Sequence, residues 1–134
     1  MYGLLDIPAS ALVAQRTRLE AISANLALKD VPVDPSKNPD TFRRRMAIFQ
    51  PGDPTSGSDL GVHVSEIQFD RAAFRKVLDP GHPFADKQGY VSYPGIDSAI
   101  EQVNALEASR AYEANITAAE ATKQMLQASL RLLA

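Results

Sequence analysis

The chain has no cysteine and no tryptophan, and only two histidines in 134 residues. Without thiols it has no disulfide scaffold and no thiolate metal site, so its stability cannot depend on oxidation. His63 falls in an expected strand and His82 in an expected turn, with no His or Cys partner at metal-ligand spacing. No metal site and no cofactor are therefore expected. No apolar run approaches the ~20 residues needed to span a bilayer. The segment Met1 to Ser10 lacks a basic start and a continuous apolar stretch, so neither membrane insertion nor a cleaved secretory signal is expected. The formal net charge of −2 leaves no electrostatic footprint for nucleic acid.

Reaction machinery is equally scarce. There is no glycine-rich phosphate loop, and the acidic residues are scattered. Asp79 and Asp86 flank a turn, where aspartate serves backbone hydrogen bonding. Ser109 and Ser129 lie in a helical stretch without the strand-to-helix elbow of a serine nucleophile. Tyr90 and Tyr93 are three apart on a strand and point to opposite faces, which makes a poor stacking platform for bases. The chain carries interfaces, and no catalytic residue is assigned.

Glycine and proline are both missing from Asp97 to Ala134, although the preceding segment is rich in them. This stretch is expected to form one helix of roughly 57 Å at 1.5 Å per residue, longer than a small domain needs to cover its own core. Ala111, Ala114, Ala118, Ala121, Met125, Ala128 and Leu132 alternate steps of three and four, as in a coiled-coil seam. A second row, Tyr112, Ile116, Ala119, Leu126, Leu130 and Leu133, lies about 150° away at ~100° per residue, with Lys123 its polar break. Arg110, Glu113, Thr117, Glu120, Gln124, Gln127 and Arg131 fill the remaining surface. A helix apolar on two nearly opposed faces in so short a chain points to assembly with neighbours.

A second helix is expected from about Ala9 to Lys29, starting at Pro8 or running through it. Leu5, Leu12, Leu19, Ile22 and Leu26 form its stripe, which is expected to pair with the alanine seam of the long helix. Asn25 lies beside this stripe; the pattern suits a register-fixing amide and a solvated one equally.

Between the helices the chain changes character. Pro32, Pro35 and Pro39 mark a turn-rich linker. Strands are expected at Phe42–Gln50, Gly61–Phe69, Phe74–Leu78 and Gly89–Tyr93. A polar loop separates the first two, and a change of phase near Ser65 suggests a bulge. Arg43, Arg44 and Arg45 are expected to be solubilising gatekeepers on a strand edge. The class is therefore α+β: paired long terminal helices, coiled-coil-like, around a small β-rich module. Its expected division is residues 1–29, 30–96 and 97–134. A β module this small has to lean on the helices or on other chains.

Three segments carry a family resemblance. Gln15 to Ala27 (QRTRLEAISANLA) resembles the N-terminal motif of the flagellar axial proteins. Asp79 to Val91 (DPGHPFADKQGYV), followed by Tyr93-Pro94, and the C-terminal Glu107–Asn115 and Thr122–Leu126 are similar to the proximal rod members of that family. The order of the segments makes the resemblance specific, and it covers nearly the whole chain. It implies a non-enzymatic structural subunit of the bacterial flagellar basal body, within the rod that crosses the periplasm. Such a subunit transmits torque, encloses the export channel and serves motility. It implies export through the flagellar type III apparatus without a cleaved signal. The implied partners are further copies of the chain, proximal rod paralogues, the distal rod protein and the adaptor joining rod to MS ring. Motif positions carried over are Leu19, Ser23, Asn25 and Leu26, then Ser109, Arg110, Tyr112, Asn115, Lys123 and Met125. With the stripes above, the expected subunit-interface set is Leu12, Leu19, Ile22, Asn25, Leu26, Arg110, Ala111, Tyr112, Ala114, Asn115, Ala118, Ala121, Met125, Ala128 and Leu132. Two positions depart from the family pattern. Leu28 replaces a usual Asn, and Gly95 follows Tyr-Pro where Asn is common, leaving Asp97 or Ser98 to cap the long helix.

Overall fold

The computed structural model describes residues 3–134. Met1 and Tyr2, part of the expected N-terminal helical segment 1–29, lie outside the described residues. Helix α1 spans Gly3–Leu28 and helix α2 spans Ser98–Leu133. α1 runs through Pro8, which is buried; the absent N–H removes one rung of the helical ladder. α1 ends as Lys29 N–H donates to the Asn25 carbonyl and Val31 N–H to Leu28, ahead of Pro32. α2 starts at Asp97, whose carboxylate accepts from Ala99 N–H at 2.9 Å, the usual N-cap geometry.

The linker forms a 3-10 turn at Pro39–Phe42, capped by Asn38, whose side chain accepts from Asp40 N–H at 3.0 Å. The strand expected from Phe42 therefore begins later, because Pro39 and the Asn38 cap hold Phe42 in the turn, where it is buried. Strands β1 (Arg45–Asp53) and β2 (Ser58–Phe69) form an antiparallel hairpin. Ile48 pairs with Glu66 and Phe49 with Val64, which leaves Ser65 as the extra residue of a bulge. Its hydroxyl donates to the Ile48 carbonyl at 3.2 Å. β1 also continues past Gln50, into the segment expected as loop. Pro51 faces Val62 and is exposed, a place where a missing donor is tolerated.

A second hairpin pairs β3 (Arg75–Leu78) with β4 (Tyr90–Tyr93). Its turn is organised by Asp86, whose carboxylate accepts from the N–H groups of Gln88 and Tyr90. Val33 N–H donates to the Ser92 carbonyl at 2.8 Å and ties the linker to β4. Gly95 lies so close to the Ala73 carbonyl that a Cβ there would meet the oxygen at 2.5 Å. Only glycine fits that approach, which accounts for the departure from Asn in the chain's own terms.

α1 is the central element, packed against both α2 and the β1–β2 hairpin. Arg18 reaches Glu107 and Asn25 reaches Glu101, so rising numbers on one helix meet falling numbers on the other. The helices are antiparallel. Ala14, Ala21, Ile22 and Ala108 are buried, and small residues there let the backbones come close. α2 has 36 residues against 26 in α1, so it outreaches its partner by about 15 Å at 1.5 Å per residue.

Candidate assembly surface

The geometry of the surface depends on a buried junction. Asn25 is 1% exposed and Glu101 0%. The Asn25 side chain pairs with the backbone of Arg45 as a neighbouring strand residue would: Nδ2 donates to the Arg45 carbonyl at 2.9 Å and Oδ1 accepts from Arg45 N–H at 2.8 Å. The second Nδ2 hydrogen goes to Glu101 Oε2 at 3.1 Å. Glu101 Oε1 accepts from Arg44 Nε, and Arg44 Nη1 also lies 3.8 Å from Asp70. One amide thus joins α1, α2 and the first strand, with its polar hydrogens satisfied.

For Arg43 and Arg44 the junction corrects the reading as gatekeepers. The Arg44 side chain is 20% exposed and neutralises a buried carboxylate. Arg43 is equally covered, donating to Asp40 and to the Ala72 carbonyl with its guanidinium 4.8 Å from the Phe74 ring. They cross-brace the linker and the strands. Of the two roles open for Asn25, the register-fixing one is the role the structure displays.

The expected pairing of the alanine seam with α1 is not what the structure displays. The face turned to the rest of the chain runs through Glu101, Asn104, Ala108, Tyr112, Asn115, Ala119, Thr122 and Leu126, all buried or half-buried. From the Tyr112 row, Tyr112, Ala119 and Leu126 lie on this inward face, while Ile116, Leu130 and Leu133 are exposed. The alanine seam does not lie there: only Ala111 is half-buried, while Ala114, Ala118, Ala121 and Ala128 are exposed. Met125 is 70% and Leu132 88% exposed. Alanine side chains bury little area, so the chain's internal packing gains more from Tyr112 and Leu126. The polar strip Arg110, Glu113, Thr117, Glu120, Gln124, Gln127 and Arg131 is exposed along the third side.

On α1, Ile22 and Asn25 are buried within the chain, while Leu12, Leu19 and Leu26 are half-buried and keep part of their surface uncovered. Asn115 donates to the Ala111 carbonyl at 2.7 Å and Thr122 to Ala118 at 2.9 Å. Each thus satisfies one donor within the helix, which lowers the cost of placing it at a half-buried face. Glu101 and Arg44 were not identified from sequence. The available signal was the seven-residue line Glu101, Ala108, Asn115, Thr122, which a search for apolar stripes passes over because it is mostly polar.

The family of flagellar basal body rod FlgEFG protein C-terminal segments matches residues 87–132, the β4 strand and nearly all of α2. A flagellar basal-body rod protein FlgC of Yersinia enterocolitica is 38% identical over 132 residues, covering 98% of this chain and 97% of the relative. The chain belongs to the FlgC family. FlgC proteins of Bacillus subtilis and of Escherichia coli O157:H7 are similar at 37% and 35% identity, each over 98% of this chain and 97% of the relative. This FlgC-family chain is a structural subunit of the flagellar basal-body rod, not an enzyme, and it assembles with other rod components. Its exposed α2 surface is thus the surface of a protein that works in an assembly.

Proposed function

We propose that this chain builds the proximal rod by docking the exposed alanine stripe of α2, Ala114 to Leu132, on the helices of neighbouring subunits. The neighbours are further copies, proximal rod paralogues, the distal rod protein and the adaptor to the MS ring. The carrying observation is that the stripe is exposed along the outer part of a helix longer than its internal partner. Small side chains allow close backbone approach and leave little soft volume to shear, as a shaft that passes torque requires. Burying Met125 and Leu132 would add roughly 1.5–3 kcal/mol each.

The polar strip from Arg110 to Arg131 then borders the export channel. Arg110 and Arg131 balance Glu113 and Glu120, and such a wall would neither bind nor repel an unfolded chain of either charge in transit. The subunit itself reaches its place through the flagellar type III apparatus, without a cleaved signal. Cryo-electron microscopy of isolated basal bodies tests this reading. It requires Asp97–Ala134 inside the rod with Ala118 and Ala121 against a neighbouring helix; density for the chain in an outer ring would overturn it.

A further inference from the structure

A cavity of about 210 Å³ opens where α1, α2 and β1 meet, one turn of α1 before the Asn25 clamp. Its polar lining is Arg18, Arg44, Arg45 and Asn104, with no acidic residue among the lining residues. Two of these arginines are already balanced. Arg44 is bound to the buried Glu101 and shared with Asp70, and Arg18 is 3.3 Å from Glu107. Arg45 has no carboxylate at ion-pair distance among the described residues. The backbone adds a further donor. In an antiparallel pair, successive residues turn their N–H and C=O groups alternately towards the partner strand and away from it. Asp70 N–H donates to the Arg44 carbonyl, while both backbone groups of Arg45 turn outward to Asn25. Ala47, two residues on, therefore turns its N–H outward too, on the edge that borders the cavity, and no protein group among the described residues accepts from it.

We propose that this cavity binds a carboxylate, presented in the rod by an Asp or Glu side chain of a neighbouring subunit. The inference rests on the assembly of the chain with other rod components. The Arg45 guanidinium, the Ala47 N–H and the Asn104 amide all offer hydrogens, and an ionised carboxylate is the side chain that only accepts. Charge selects among anions. The cation without a partner is one, so a single negative charge balances it, whereas a doubly charged phosphate or sulfate would leave an excess. Volume selects the source. At 210 Å³ the cavity admits the end of one side chain and falls short of the ~300–1,000 Å³ usual for a small-molecule site. A neighbour's side chain is also held at high effective concentration in the rod, which a free anion facing one spare charge is not.

The Asn25 clamp holds the backbone of Arg45 and not its side chain, so Arg45 can be replaced without dismantling the junction. In the purified chain, followed by amide NMR at constant ionic strength, acetate is expected to shift the Ala47 backbone and Asn104 side-chain resonances saturably where chloride does not. Arg45→Gln should weaken that response about tenfold, the value of one charge-assisted hydrogen bond. Arg71→Gln, at an exposed position outside the cavity lining, should leave it unchanged. No saturable response to acetate, or a stronger response to sulfate, overturns the carboxylate assignment. In cells building flagella, Arg45→Glu should abolish recovery of the chain in basal bodies, and Arg45→Lys should largely retain it. Normal recovery of Arg45→Glu overturns the neighbouring subunit as the source. Labelling of Ala121→Cys in those basal bodies then separates the two failures: if it is protected, only the cavity is wrongly assigned, and if it is freely labelled, the docking of the alanine stripe has failed as well.

Discussion

Asn25 and Glu101 meet across the helix pair, with Nδ2 3.1 Å from Oε2 and both side chains out of water. Because the same amide also takes both backbone groups of Arg45, the contact sets the register of α1 on α2 and of the first strand on both.

Asn25→Ala leaves the Arg45 backbone and one Glu101 oxygen without their partner. Each buried group left unsatisfied costs about 1–3 kcal/mol, and urea unfolding of the purified chain should show a loss of at least that size. Asn25→Leu should not recover it, since volume is not what is missing. Glu101→Gln keeps an acceptor for Asn25 but removes the charge facing Arg44, and should also destabilise. Unchanged midpoints would contradict the junction.

Gly61 in β2 has φ +88°, and a Cβ there would come within 2.7 Å of Ser10 Oγ. Gly61→Ala combines a left-handed backbone with a clash and should destabilise by more than the ~1 kcal/mol typical of conformational strain alone. Ser10→Ala removes the clash, and with it the hydrogen bond from Val62 N–H, so the cost of Gly61→Ala should be smaller, but not zero, in the Ser10→Ala background than in the native chain. An equal cost in both backgrounds, or none in the Ser10→Ala background, would refute this division of clash from strain.

The hairpin turn should loosen in acid. Thr55 and Ser56 donate to the Asp53 carboxylate and lower its pKa from 3.8 to about 2. A depressed folded-state value means the stabilising effect is present above pH 3.8 and lost as pH falls through that value towards 2. Amide exchange at Thr55 and Gly57 should therefore accelerate over that interval in the native chain. In Asp53→Asn it should be pH-independent apart from the intrinsic rate.

Much of the fold was legible in the sequence, and the reasons differ by element. The absence of Gly and Pro after Asp97 marks α2, and Asp97 itself is a short polar side chain placed to cap it. The phase change at Ser65 reads as a bulge because period-two alternation breaks there. β1 starts later than the residue types around Phe42 suggest, because the Asn38 cap and Pro39 hold a local turn that outweighs the β propensity of Phe42. The assignment of α2's two rows depended on tertiary packing: both satisfy helical spacing, and only the presence of α1 decides which is covered. Glu101 and Arg44 were hidden because a buried ion pair has no periodic apolar signature. Each looks like ordinary surface until the other is placed beside it.

Ala118→Leu and Ala121→Asp alter positions that are exposed in the single chain. Both should leave its unfolding free energy within about 0.5 kcal/mol of the native value, while swimming and recovery of basal bodies are lost and export of the chain continues. Normal swimming in both would contradict the docking role of the stripe.

The central claim, that the alanine stripe is free in the chain and covered in the rod, is tested most directly by maleimide labelling in this cysteine-free background. Ala121→Cys should react readily in the purified chain and be strongly protected in isolated basal bodies, while Ala108→Cys, at a fully buried position, should be protected in both. Equal reactivity of Ala121→Cys in the free chain and in the assembled rod would contradict the account.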